Sequence, residues 1–322
     1  MVKLGLISRN LKAIQVREGW IRVFNDADEL LGRIQEFDFV GVLGTDRFIL
    51  NMLRKLAGID KPIVTVGYGV GYLNTIDVSQ LGELGNILSS GSYTVESLPT
   101  LRLEGGDVAI NDVVIAPVRS ASLMNYTLTI NGDFVWRDES DGLIISTPIG
   151  STAYALSAGG VLLYGSLRAF EIVPVNSTNI ARVPIVVPDD VKITVSDIVS
   201  KYRVEAILDG SLRYLVVNRV VVTRGPDIRL VKTTSPTALQ RYRKILESIV
   251  SELPPSAKLI LKVLEYEGAL TPKEIIEKTM LPQRTVRASL RILVEKGLVR
   301  KLIQPRGGGR STVYTLARID LS

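Results

Sequence analysis

Three short stretches of this chain carry side chains able to grip or activate a ligand with hydroxyls and phosphates. Gly44-Thr45-Asp46-Arg47 follows the apolar run FVGVL and precedes a helical pattern. A turn at such a place can point backbone NH groups at an anion, helped by glycines that leave no Cβ in the way, but only Gly44 stands before Thr45, Asp46 and Arg47. Asn111-Asp112 sits at a strand end. The Asn111 amide donates and accepts, and the Asp112 carboxylate can accept two ribose hydroxyls; an Asx turn is the plainer alternative. Asp141 to Gly160, DGLIISTPIGSTAYALSAGG, runs from a strand into a turn dense in Ser, Thr and Gly. Its hydroxyls and free NH groups suit the ring edges and ribose of a nucleotide, and equally the capping of a helix. With no cysteine and no histidine, the chain excludes thiolate zinc sites, serine triads and imidazole proton shuttles. Chemistry must rest on carboxylates, hydroxyls, Lys or Arg, and backbone NH groups, and no set of protein metal ligands is expected.

The elements that must position these residues follow from the hydrophobic pattern. A chain of 322 residues, 46% hydrophobic, can bury a sizeable core and predicts two or three domains. Residues 1–95 alternate apolar runs (VKLGLIS, FVGVLGT, PIVTVGY) with helical patterns at Asp28 to Gln35 and Phe48 to Ala57, the rhythm of an α/β domain with parallel strands. Residues 96–234 read as strands at short intervals, with Asn131-Gly132 as a hairpin turn, so the second domain is expected to be all-β and sandwich-like. A helix at 235–252, which could pack back on the first domain, leads to the linker Pro254-Pro255. No apolar run approaches bilayer length and KLGLIS is too short for a signal peptide, which predicts a cytoplasmic protein without a membrane partner.

The charge is uneven. Pro254 to Ser322 holds 13 Lys+Arg against 6 Asp+Glu, a net +7, whereas the rest of this +6 chain carries −1. Such a tail suits nucleic acid, or is an ordinary solvated face. Within it, Leu259, Ile260, Val263 and Leu264 have helical spacing. Thr271 and Glu274 form a capping box with Pro272 at the first helical position, and Val286, Leu290, Leu293 and Val294 mark the inner side of a third helix. Two strands around a Gly-rich basic tip complete the pattern, and 255–322 resembles a winged helix-turn-helix domain. That resemblance points to double-stranded DNA. Gln283, Arg284, Thr285, Arg287 and Arg291 would approach base edges, and Arg306 and Arg310 on the wing would reach phosphate or the minor groove.

DGLIISTPIGSTAYALSAGG is very similar to the signature of NAD kinases, with Ile149 where threonine is common. AINDVVI, RVPIVVPDD and ILDG resemble further segments of that family in order, and GYGVGYL, Gly67 to Leu73, a shortened form of its NxGxxGFL turn. The resemblance covers roughly residues 1–245. It implies NAD in a cleft between an α/β domain and a β-sandwich, phosphorylation at the ribose 2′-hydroxyl to give NADP, ATP or polyphosphate as donor, Mg²⁺, and a homodimer or homotetramer whose contacts complete the site. Carried over by position, Asp141 would read the nicotinamide end. Thr147, Ser151, Thr152, Ala153 and Tyr154 would belong to the dinucleotide site, and Asn111 and Asp112 to the ribose. Asp46 matches the family's candidate base or metal contact, in a turn where GGDG has become Gly44-Thr45-Asp46-Arg47. Arg47 could clasp a donor phosphate, plug the donor site, or pair with Asp46. The alternative to an enzyme is a catalytically degenerate NAD(P)-sensing regulator of transcription.

Overall fold

The structure, a computed structural model, describes residues 2–8, 19–67, 73–119, 122–233, 253–267, 269–295, 299–306 and 309–316. The chain divides into two compact units, Met1–Arg241 and Tyr242–Ser322.

The first unit opens with strands β1 (Leu4–Ile7), β2 (Ile21–Phe24), β3 (Phe39–Gly44), β4 (Ile63–Gly67) and β5 (Ile76–Asp77), all paired in parallel. β3 and β4 are buried at every position, as strands covered on both faces require. Helices α1 (Ala27–Leu31) and α2 (Asp46–Lys55) cover one face, where Leu30, Ile49, Met52 and Leu53 meet Val40, Val42 and Ile63. Helix α3 (Leu81–Ser90) covers the other with Leu81, Leu84 and Leu88 against Val64 and Val66. The helix expected over Asp28 to Gln35 is instead the five-residue α1 followed by a 3₁₀ turn, Ile34–Glu36.

After β6 (Tyr93–Leu98) the chain builds two sheets from β7 (Leu101–Leu103), β8 (Val108–Ala109), β9 (Asp112–Pro117), β10 (Met124–Ile130), β11 (Asp133–Ser140), β12 (Gly142–Ser146), β13 (Ala169–Val175), β14 (Ile185–Pro188), β15 (Ile193–Ser200), β16 (Val204–Leu208), β17 (Leu212–Val216) and β18 (Val220–Arg224). One has the order β11-β10-β15-β18-β7-β8, the other β14-β13-β12-β9-β16-β17, and the one-turn helix α4 (Tyr154–Ser157) falls between β12 and β13 in the chain. A single apolar cluster including Tyr126, Ile145, Phe170 and Ile193 joins them into a sandwich. Asn131 (φ 54°) and Gly132 (φ 92°) form the two-residue turn of the β10–β11 hairpin, with Ile130 facing Asp133.

The boundaries differ from those expected at 95/96 and 234. β19 (Ile228–Thr233) returns to the first sheet, parallel to β4 at Leu230 and Ile63 and antiparallel to β6 from Ile228/Leu98 to Thr233/Tyr93. The first sheet is therefore mixed, and it takes in, between β4 and β6, a strand from the far end of the unit; local periodicity cannot show so distant a pairing. The helix expected at 235–252 and residues 68–72 of GYGVGYL lie outside the described residues.

In the second unit, α5 (Pro255–Glu267), α6 (Pro272–Thr279) and α7 (Gln283–Glu295) precede a hairpin of β20 (Val299–Arg306) and β21 (Gly309–Leu316). The capping box forms: the Thr271 hydroxyl accepts from Glu274 N at 3.3 Å and the Glu274 carboxylate from Thr271 N at 2.7 Å. Ile260, Leu264, Ile275, Val286, Leu290 and Leu293 make the core. Val294, expected to face inward, is 40% exposed, as is Leu259 of the apolar set on α5. Ser289 takes an inner place and its hydroxyl lies 2.8 Å from that of Ser256. Among the described residues no helix is long and apolar enough to cross a membrane.

Candidate functional site

At the start of β9, the turn Ile110-Asn111-Asp112 is held by Asp209, which follows β16. Ile110 N donates to both Asp209 carboxylate oxygens at 3.0 and 3.1 Å, Asn111 N donates at 2.7 Å and Asp112 N at 3.3 Å. Asp209 takes the left-handed backbone (φ 49°) that aspartate tolerates better than most residues, and its side chain is fully buried. From α2, Arg54 places Nη1 3.6 Å from that carboxylate and 2.9 Å from the Ser211 hydroxyl, to which it donates. An Asx turn does not form, because neither the Asn111 nor the Asp112 side chain accepts a backbone NH among the described residues. Among the described residues the side chains of Asn111 and Asp112 have no hydrogen-bond partner, although Asp112 is only 4% exposed. Burial, and then the charge of Asp209, push the Asp112 carboxyl up to about 7. Burial also raises the Asp209 carboxyl, while the amides of residues 110–112 and the Arg54 guanidinium facing it work in the opposite direction.

The stretch after β12 locks onto this turn from the other side. Thr147 N donates to Asn111 O at 2.9 Å, the Thr147 hydroxyl donates to Ile110 O at 2.7 Å and accepts from Gly150 N at 3.1 Å. The Ser151 hydroxyl donates to Pro148 O at 2.7 Å and accepts from Leu163 N at 3.0 Å. Both residues are fully buried, and this corrects the expectation that their hydroxyls face a ligand: those hydroxyls are spent on the loop itself. Gly150 is needed here, since a Cβ would lie 2.0 Å from Asn111 O. Thr152 and Ala153 are half-buried and Tyr154 is 44% exposed. The Tyr154 hydroxyl is held above its ordinary pKa by burial and then by Asp141 and Asp112.

Asp141 lies at the other end of β12. Ser146 faces Asp112 across the β9–β12 ladder, and Asp141 is five residues from Ser146, roughly 17 Å along the strand. Its carboxylate accepts from the Asn176 amide at 2.9 Å.

At the end of β3, Thr45 caps α2, its hydroxyl accepting from Phe48 N at 3.4 Å, and Asp46 and Arg47 occupy the first turn. Thr45 has extended backbone (φ −71°) and Arg47 is not among the residues of positive φ, so losing two glycines leaves no strain. Gly44 serves packing: a Cβ there would meet the Phe48 ring at 2.5 Å. Thr45, Asp46 and Arg47 are exposed, and among the described residues Arg47 makes no ion pair with Asp46. Asp46 keeps a solvent face, yet crowding around its carboxyl raises its pKa. Ile49 and Met52 of α2 share an apolar cluster with Ile110 and Ile149, which brings this helix against both other stretches.

In the second unit Gln283, Arg284, Arg287 and Arg291 are exposed on α7 and Thr285 is half-buried. A groove of about 850 Å³ is lined by Lys273, Gln283, Arg287, Arg291 and Lys301 over a floor including Ile276, Leu290 and Tyr314. Arg306 ends β20, and Arg310 on β21 pairs with Pro305 of β20. Residues Asp209 and Arg54 were not singled out by sequence reasoning; ILDG gave only a family segment, and nothing local marks Arg54.

The model of the ATP-NAD kinase C-terminal domain matches residues 110–228. An NAD kinase of Alcanivorax borkumensis is 35% identical over 201 residues, 59% of this chain and 67% of that protein. One of Aromatoleum aromaticum is 34% identical over 224 residues, 66% of this chain and 73% of that protein. Of two other bacterial NAD kinases the chain spans little more than half, 58% and 56% of their length. The crystal structure of an NAD kinase from Archaeoglobus fulgidus in complex with ATP has the same fold, with a TM-score of 0.63 and 24% identity over 77% of this chain and 99% of that one.

Proposed function

This chain belongs to the NAD kinase family, and we propose that it phosphorylates NAD at the adenosine ribose 2′-hydroxyl to give NADP, with ATP or polyphosphate as donor. The observation that carries the reading is the Asn111-Asp112 turn: its backbone is fully engaged while its two polar side chains are left uncommitted, as a ribose-gripping pair requires. Tyr154, Ala153 and Thr152 would border the adenine, with Thr147 and Ser151 holding the loop. Asp141 grips a different part of the dinucleotide or, in a homodimer or homotetramer whose contacts complete the site, a different molecule of it.

Asp46 would act as base. The ribose 2′-oxygen forms a bond to the donor's terminal phosphorus, the bond from that phosphorus to the donor's bridging oxygen breaks, and the hydroxyl proton passes to the carboxylate. The N-terminus of α2 and the exposed, unpaired Arg47 suit the donor phosphates. Among the described residues no cluster of acidic side chains could hold a metal by itself, so Mg²⁺ fits as an ion carried by those phosphates, where it would offset their charge. Purified protein incubated with NAD, Mg²⁺ and either donor should form NADP, and Asp46→Asn should remove most of it; equal yields from both would sink the assignment. Arg47→Gly should raise the donor KM and lower turnover roughly tenfold, whereas faster turnover would show that the side chain obstructs the site. Failure of the unsubstituted protein to form NADP, with NAD binding intact, would leave the NAD-sensing regulator.

The second unit, in this reading, binds double-stranded DNA as a winged helix-turn-helix. The exposed Gln283, Arg284, Arg287 and Arg291 on one helix, and the cations that join two of them along the groove, support it. Thr285, half-buried in the first turn, and the wing residues Arg306 and Arg310 remain part of that proposal.

A further inference from the structure

We propose that Arg54 and Asp209 form a positioning latch that fixes the Asp46 end of α2 relative to the Asn111-Asp112 turn, an inference that rests on the kinase reading above. The latch has two halves. Asp209 gathers three consecutive backbone NH groups of residues 110–112, which dictates where the side chains of Asn111 and Asp112 leave the backbone. Return bonding tightens it, since Asp209 N donates to Asp112 O at 3.0 Å. Arg54 sits eight residues after Asp46 on the same helix, about 12 Å along its axis. Its guanidinium reaches the Asp209 carboxylate, the Ser211 hydroxyl and the Asn51 side chain, and Arg54 is 10% exposed at its side chain.

A helix is stiff over this length, so anchoring Arg54 also places Asp46. An apolar residue at 54 would have left the Asp209 amide cradle intact while freeing α2 to slide on the cluster of Ile49, Met52, Ile110 and Ile149. In a phosphoryl transfer that depends on alignment of base, hydroxyl and phosphorus, such freedom falls on turnover more than on binding. The same carboxylate has an electrostatic effect, because its charge helps to raise the Asp112 carboxyl. The charged or titratable groups known to face Asp112 are Asp209, with Arg54 behind it, and Tyr154.

The test uses the full chain and the variants Arg54→Met, Arg54→Lys and Asp209→Asn. Steady-state kinetics should show kcat for Arg54→Met reduced roughly ten- to a hundredfold, with the KM for NAD changed several-fold less, and Arg54→Lys recovering part of kcat. Asp209→Asn keeps an acceptor for the amides but loses the charge, so the acid limb of its pH profile should move to lower pH. NADP formation by the unsubstituted protein judges the kinase reading. NAD affinity by calorimetry, weaker in Arg54→Met than in the unsubstituted protein, judges the latch even if no NADP forms. The latch is overturned if Arg54→Met binds NAD and turns it over as the unsubstituted protein does, or if Arg54→Lys is no better than Arg54→Met while melting at the same temperature as the unsubstituted protein.

Discussion

Asp112 is the residue whose chemistry is set most sharply by its surroundings. A carboxyl of ordinary pKa near 4 is pushed up to about 7 by burial first and by Asp209 second. The native state therefore holds this proton more tightly than the unfolded chain does between those two values. Stability contributed by the group is present at low pH and is lost as pH rises from about 4 through about 7, with an upper bound on the order of 4 kcal/mol. Asp112→Asn should flatten this decline, measured as the difference in unfolding free energy between roughly pH 5 and pH 8. Function should run the opposite way. An ionised carboxylate accepts two hydroxyls, so NAD affinity should increase as pH passes 7 in the unsubstituted protein and stay flat in the variant; parallel profiles would remove Asp112 from the ribose. The sequence made Asn111 and Asp112 visible as a pair but left an Asx turn as the plainer reading. What decides between them is that both side chains stay uncommitted while the backbone of the turn is held by Asp209, 97 residues away from Asp112, which no local pattern connects to that turn.

At the scale of elements, the glycines show where backbone contact shapes the site. Gly150 lies against Asn111 O so closely that alanine would force the loop and the turn apart. Gly150→Ala should weaken NAD binding at least tenfold and lower stability by roughly 1–3 kcal/mol, readable by calorimetry and thermal melting. Unchanged affinity would mean that the loop does not set the turn. Gly44 illustrates the converse. Loss of the neighbouring glycines suggests strain on the page, yet Thr45 is an ordinary helix cap and the turn is relaxed. Strand periodicity and the Asn131-Gly132 turn were legible because they are local. Helix α3 was harder to see: Gly82 and Gly85 dilute its pattern, and Gly85 is there because the Trp20 ring lies 2.9 Å from where a Cβ would stand. β19 escaped for a different reason, since its place between β4 and β6 is set by pairing across more than a hundred residues.

For the whole molecule, the uneven charge is the feature with the most testable consequence. The net +7 of Pro254 to Ser322 sits on a unit with its own core, its own capped helices and a hairpin, while the remainder is near neutral. If that charge serves DNA, binding should release counterions, and log affinity should fall linearly with log salt. Lys273 and Lys301, at the groove, would then act on phosphate, and replacing either by alanine should reduce the slope by about 1 without changing sequence preference. Gln283 and Arg287, on the exposed face of α7, would act on base edges. Alanine there should relax discrimination between promoter fragments by about 1–3 kcal/mol at the contacted position. Full-length protein titrated on several fragments across a salt series separates the two classes. A groove made only for a protein partner would give neither a salt slope on DNA nor a difference between fragments. Repeating the titration with saturating NAD or NADP asks whether the dinucleotide unit speaks to the basic one: a shift in DNA affinity with one of them would couple phosphate transfer to gene control, and equal curves would make the two units independent in function.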